Sequence, residues 1–250
     1  DDFTIRTAML ELRHVVGDLS LSKEIEKTLS AELFWGTEQE FIEAKLDERE
    51  NRHEKQGGQR YVVEPNVKEG KGGLRDLHSL FWIAKYVHRV KTIAELVNLG
   101  LFTKEEYQIF QSSEAFLWAV RCHLHLITNR ASDLLSFDLQ VEVAAAMGYK
   151  DKGGRRAVEY FMQDYFRHAT SVGDLTRIFL TFLEASHAKP EPLLQRIFGK
   201  KPDMKPDYIV VHNRISIKSP EEFLKDPLNL LRLFEEALRT GLLIHPGAMR

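Results

Sequence analysis

The chain has 250 residues, 35 Lys and Arg against 37 Asp and Glu, and a formal net charge of −2, so bulk charge offers no reason to expect nucleic-acid binding. Hydrophobic residues make up 43% and include 15 Phe, enough for a globular core, and no apolar run approaches the 18 residues of a membrane span. A single cysteine, Cys122, cannot form an internal disulfide, which fits a reducing compartment; its apolar surroundings predict a small core residue.

Apolar spacing along the chain is mainly helical. Ile5, Met9, Leu10 and Leu12 predict a first helix ending near Gly17. Ser20 or Ser22 is set to cap a second, through Leu33. A long charged helix is expected from Glu38 to about Lys55, with Phe41, Ile42, Ala44 and Leu46 inward and Gly57-Gly58 as its stop. Leu74 to about Val90 places Leu77, Leu80, Phe81 and Ala84 on one face. Thr103-Lys-Glu-Glu106 reads as a capping box for a helix to about Ile127. Phe137 to Met147 stops at Gly148, and Arg155 to about Ala185 is the longest pattern, with Gly173 tolerated or forming a kink.

Past Pro190 the texture changes. Lys200 to Asp207 reads as a linker, and Tyr208 to Ile217 as a hairpin turning at His212-Asn213. Ser219-Pro220 starts a short helix, and a last one runs from about Pro227 to Thr240 and closes at Gly241. The expected fold is therefore mainly α, a helical bundle-like domain over residues 1–200, with a small α+β appendage over 201–250. The opening Asp-Asp-Phe-Thr, without Met and in mid-helix style, reads as a piece of something longer, and it is not a signal peptide.

The most informative stretch is Tyr61 to His78. Three β-friendly residues lead to Pro65-Asn66, then come Lys68, Gly70, Lys71, Gly72 and Gly73, then an amphipathic run carrying Arg75. A glycine-rich basic loop opening a helix suits an anion, because backbone can approach closely and free N–H groups at a helix start point toward it. A solvated turn that merely caps the helix has the same spacing. It is neither of the common phosphate loops: G-x-x-x-x-G-K-S/T is absent, and the glycines do not fit G-x-G-x-x-G.

Other constellations are weighed in the same way. Arg121 lies in an apolar helical run and needs an anionic partner, either a carboxylate such as Asp133 or Asp76 or a ligand phosphate. Lys150-Asp-Lys-Gly-Gly-Arg155-Arg156 repeats the basic loop but reads better as a solvated cap. His123 and His125, two apart on a helix, point to different faces and do not make a metal site. Glu11 and Arg13 read best as a surface or intramolecular ion pair.

The string Glu64 to Asp76 resembles the E-P-N-I/V-K-E-G-x-G-G-L-R-D signature of the bacterial PII-protein uridylyltransferase/uridylyl-removing family. The resemblance continues through Leu80–Ala84, Phe116–Arg121, Arg130–Asp133, Phe137–Gln140, Val143-Ala144, Gly148-Tyr149 and Ala157–Met162, to about residue 185 and more weakly beyond. It departs at Leu134, where relatives usually carry an arginine. The resemblance implies a cytoplasmic parent enzyme that moves UMP from UTP, with Mg2+, to a tyrosine of the PII signalling protein and removes it again, with glutamine as effector and no nucleic acid or membrane involved. The candidate nucleotide-phosphate residues are Lys68, Gly70, Gly72, Gly73, Arg75 and Arg121. A nucleotidyltransferase core needs D-x-D to hold Mg2+, and a uridylyl-removing HD domain needs a His-Asp pair; neither is in the sequence. The chain is thus expected to be the helical region between those two parts, holding no catalytic residue and no metal of its own, and inactive alone. A helical interaction module, or a related nucleotidyltransferase-like signalling protein, is the alternative.

Overall fold

A computed structural model describes residues 2–187, 207–211 and 214–249. The chain divides into two compact units, residues 1–177 and 178–250. The first contains α1 (Phe3–Leu10), α2 (Leu19–Thr28), α3 (Glu38–Lys55), α4 (Leu74–His88), α5 (Glu95–Asn98), α6 (Lys104–Thr128), α7 (Phe137–Ala146) and most of α8 (Ala157–His187). The boundary between units thus falls inside α8, whereas the sequence suggests 200/201, a point outside the described residues, as is most of the expected linker.

Helix α4 is the axis of the first unit, because its apolar residues point in two directions at once. Leu74, Leu77, Leu80, Ile83 and Ala84 are buried, and α4 packs on α1, α3 and α6. Against α3, Tyr86 stacks on Phe41 with ring centroids 3.9 Å apart and planes 6° apart. Burying an aromatic pair of this kind removes a large apolar area from water and adds the preference of offset rings. Helix α6 begins at the expected box: Thr103 Oγ1 accepts from Glu106 N at 3.1 Å, and a Glu106 carboxylate oxygen accepts from Thr103 N at 2.8 Å. Helix α8 runs unbroken through Gly173, whose missing Cβ leaves room for the Arg60 guanidinium.

Several expectations are corrected. Helix α1 stops at Leu10, not near Gly17, because Leu12, Val15 and Val16 have helical spacing but nothing to bury against and lie 39%, 79% and 87% exposed. Helix α2 is capped by Asp18, whose Oδ1 accepts from Ser20 N at 2.8 Å, and not by Ser20 or Ser22; a π-helical turn, Leu29–Leu33, carries it to the expected end. Cys122 is exposed: Leu117, Val120 and Leu124 take the inner face of α6.

In the second unit, β1 (Tyr208–Val211) pairs antiparallel with β2 (Arg214–Ile217), in the register Tyr208↔Ile217 and Val210↔Ile215. The expected turn at His212-Asn213 lies outside the described residues. A third strand that the sequence does not announce, β3 (Leu243–Ile244), pairs parallel with β2. Helices α9 (Pro220–Phe223) and α10 (Leu228–Thr240) complete the unit, and Tyr208, Ile215, Phe223 and Leu233 form its core.

Candidate functional site

The loop between Asn66 and α4 folds onto itself before it can meet anything else. Asn66 Oδ1 accepts from the backbone N–H of Lys68 (3.1 Å) and Glu69 (2.7 Å), fixing the turn after Pro65. Val67 N donates to Asp133 O and Leu135 N to Pro65 O, pinning the loop to the segment after α6. Leu134 is half exposed and bridges Asn66 through the backbone.

At the start of α4, Gly73 N, Leu74 N, Arg75 N and Asp76 N donate to the carbonyls of Gly70, Val67, Lys68 and Gly73 at 2.9–3.1 Å. Gly72 N donates to Asp76 Oδ2 at 2.9 Å. The N–H groups that the spacing offered to an anion are therefore spent inside the loop, and that part of the sequence argument is corrected. The glycines serve packing. A Cβ on Gly70 would fall 2.5 Å from Asn66 O, and one on Gly73 would fall 2.7 Å from Val67 O. Gly72 has φ +83° and lies against the α8 backbone at Ala169.

Asp76, wholly buried, ties the loop to α3. Its Oδ1 accepts from Arg52 Nη2 at 2.5 Å and from His53 Nε2 at 2.9 Å, and Arg49 Nε lies 3.5 Å away. Burial works to raise its pKa, but the His53 hydrogen bond, the Arg49 charge and the Gly72 N–H outweigh it and hold the carboxyl below its ordinary 3.8. The Asp of the signature is thus a structural hub and not an acid for chemistry.

The cations are arranged differently. Glu69 lies between Lys68 Nζ (3.3 Å), Arg75 Nη2 (3.4 Å) and Arg52 Nε (3.7 Å). Arg121 Nε donates to Asp133 Oδ1 at 2.7 Å, so of the partners open from sequence the carboxylate Asp133 is the one found. His125 also bonds Asp133, at 3.0 Å. Burial works to raise the Asp133 pKa, but the hydrogen bonds from Arg121 and His125 and the charges of Arg121 and Lys68 hold it below 3.8.

Arg75 on α4 and Arg121 on α6 lie over the rings of Trp82 and Trp118, which both neighbour His78, and Lys68 of the loop shares Glu69 with Arg75. The His78 pKa falls from 6.5 to about 4, first through burial and then through the Arg75, Arg121 and Lys68 charges, with Glu11 opposing. The rings of Trp82 and Trp118 stand 5.8 and 6.0 Å from His78. Sequence reasoning missed His78, Trp82, Trp118 and the counter-ion Glu69. The available signal was spacing: Arg75 and His78, Trp118 and Arg121 are three apart on helices, and His78 and Trp82 four apart.

The remaining candidates resolve simply. Lys71 Nζ donates to Gly58 O at 3.4 Å and, with Gln59, Arg60 and Tyr61, lines a separate shallow depression of about 400 Å³. The second basic loop caps α8 as expected: Asp151 Oδ1 accepts from Ala157 N, and Arg155 lies over Tyr160 and pairs with Glu159. Glu11 accepts from Trp82 Nε1 (3.2 Å) and Lys85 Nζ (3.0 Å), not from Arg13. Among the described residues no group of three or more His, Cys, Asp or Glu could hold a metal ion.

Fold and site together define a mainly helical domain that presents a cationic, aromatic patch. Residues 40–180 match the GlnD PII-uridylyltransferase family, and the chain belongs to that family. Over its whole length it is 64% identical to the bifunctional uridylyltransferase/uridylyl-removing enzyme of Ruegeria pomeroyi and 62% identical to that of Cereibacter sphaeroides. It is 48% identical to the enzyme of the same name from a Bradyrhizobium species. The chain spans 27–28% of the length of these relatives. No solved structure matches it.

Proposed function

We propose that this chain is the helical part of a bifunctional PII uridylyltransferase, and that Lys68, Arg75 and Arg121 face the phosphates of UTP held by a nucleotidyltransferase core elsewhere in the parent protein. That enzyme transfers UMP to a tyrosine of the PII protein and removes it again in the cytoplasm, with glutamine as effector. The observation that carries the phosphate role is the placement of Arg75 and Arg121, from two helices, over the Trp82 and Trp118 rings next to His78, with Lys68 of the loop sharing Glu69 with Arg75. Three guanidinium or ammonium groups complement a polyanion and not a metal ion, so Mg2+ belongs with carboxylates outside this chain, where it would offset charge on the transferring phosphoryl group. Gly70, Gly72 and Gly73 then act indirectly, by setting the loop that carries Lys68 and the helix that carries Arg75.

The test is Lys68→Ala and Arg75→Ala in the full-length enzyme. Each removes a charge-assisted contact of roughly 1.5–3 kcal/mol, so kcat/KM for UTP falls about ten- to a hundred-fold, KM for PII holds, and uridylyl removal stays near its starting rate. Lys68→Arg recovers part of the loss. A second reading draws on the pairing of these cations with Glu69 and Asp133: the patch would then hold the carboxylates of a neighbouring domain, and both alanine variants would keep the UTP dependence unchanged.

A further inference from the structure

An arginine makes a good phosphate ligand only if its fork is already aimed, because a free side chain loses many rotamers on binding. Both arginines of the patch rest on indoles. Arg75 Cζ lies 5.3 Å from the centroid of the Trp82 ring, and Arg121 Cζ lies 5.2 Å from that of Trp118. Trp82 is itself held. Trp82 Nε1 donates to Glu11 Oε1, and the ammonium of Lys45, a side chain only 4% exposed, lies 5.5 Å over the same ring. The imidazole of His78 fills the space between the two indoles, tilted 43° to one and 41° to the other. On Arg121, Asp133 takes the Nε–H, and the two Nη groups have no hydrogen-bond partner among the described residues, so that edge of the fork remains for a ligand.

We propose that Trp82 and Trp118 are positioning residues. Their faces hold the guanidinium planes of Arg75 and Arg121 at a fixed separation, with His78 as spacer, so that both forks and Lys68 make one prebuilt site for the polyphosphate arm of a nucleotide. This rests on the phosphate reading above and adds to it residues that carry no charge. His78 suits the role because burial, helped by the nearby cations, lowers its pKa, and a neutral ring can lie beside the indoles without repelling the forks. Two of the three tryptophans of the chain, 36 positions apart in sequence, are thereby assigned one task.

The experiment uses the full-length enzyme with Trp118→Leu, Trp118→Tyr, Trp82→Leu, Arg121→Ala, Arg75→Ala and the double variant Arg121→Ala/Trp118→Leu. Trp118 is 38% exposed, so its replacement leaves the core intact. Losing the π-face raises KM for UTP about three- to tenfold with kcat little changed, since aiming a fork strengthens binding before and during the reaction alike. Tyrosine, which keeps a π-face, recovers most of the loss. In the Arg121→Ala background Trp118→Leu adds nothing, because the group it aims is gone. Equal losses for leucine and tyrosine, or a full further loss in the double variant, overturn the positioning role. If Arg75→Ala and Arg121→Ala lower UTP use while both Trp→Leu variants leave it untouched, the phosphate reading stands and only the positioning role falls. If the arginine variants themselves do nothing, both fall.

Discussion

Gly72→Ala separates two reasons for a glycine that are usually confounded. Gly72 and Gly57 have nearly the same left-handed backbone, φ +83° and +86°. A side chain in that region costs about 1 kcal/mol wherever it occurs. Their surroundings differ. A Cβ on Gly57 meets nothing within 4 Å, whereas one on Gly72 would press into Ala169 O and lie 2.9 Å from its carbonyl carbon and 3.0 Å from its Cα. Those atoms are backbone in the middle of α8 and cannot swing aside, so overpacking adds about 1–3 kcal/mol. Gly57→Ala should therefore cost about 1 kcal/mol and Gly72→Ala about 2–4 kcal/mol. Urea unfolding followed by tryptophan fluorescence is the assay, because Trp35, Trp82 and Trp118 all lie in the first unit and report on it alone. Equal losses in the two variants would mean that the loop does not rest on α8, and that its glycines answer only to local turn geometry.

Asp76→Ala should destabilise the first unit by about 3–5 kcal/mol in the same assay, because Arg49, Arg52 and His53 lose their common counter-ion in a buried place; Asp76→Asn, which keeps an acceptor for Gly72 N–H, should cost less. His78 binds a proton below about pH 4 when folded and below 6.5 when unfolded, so the unfolded chain holds more protons in between and stability falls as pH drops through that window, by about 3 kcal/mol in all. His78→Phe should flatten the stability profile there, leaving the smaller share of the same sign from His168, whose pKa is also lowered by burial, and an opposing share from Glu114, whose pKa burial raises above 4.5; Asp76 and Asp133 act only below about 3.8. Glu69→Gln removes the anion shared by Lys68 and Arg75, so calorimetry with inorganic tripolyphosphate should show binding strengthened roughly two- to fivefold, and weaker binding would mean that Glu69 organises the cations and does not compete with the ligand.

What the sequence made legible was chemistry confined to a few neighbouring residues. The Thr103–Glu106 box starts a helix by two hydrogen bonds within one turn, so spacing alone predicts it. The end of α1 was illegible because Leu12, Val15 and Val16 keep the helical period, and only the tertiary structure reveals that they have no core to enter. Strand β3, two residues long, exists through its pairing with β2, 29 positions earlier, and no local pattern announces it. Asp76 is the instructive case in the site. Arg49, Arg52 and His53 sit at i, i+3 and i+4 on α3 and could be read as a basic stripe, but the acid they share lies more than 20 residues on, across the loop. Local reasoning therefore offered to a ligand backbone N–H groups that the folded loop uses itself.

That reassignment changes how the patch would recognise the phosphates proposed for it. A cradle of backbone N–H groups at a helix start works through fixed dipoles in close contact, and it tolerates changes in the side chains around it. Here those donors are occupied by Asn66, Val67, Lys68, Gly70, Gly73 and Asp76. Recognition is left to the ends of three long side chains, partly exposed and each already facing a carboxylate. Such a site gains little from charge alone, since a ligand phosphate replaces Glu69 or competes with Asp133 and solvent screens what remains. Its advantage must come from geometry: two planar forks, each lying over an indole with His78 beside both rings, would accept several phosphate oxygens at once, as a single carboxylate cannot. On the proposed reading, the aromatic framework of α4 and α6 is what would turn a neutralised basic patch into a site able to prefer a polyphosphate over the acids around it.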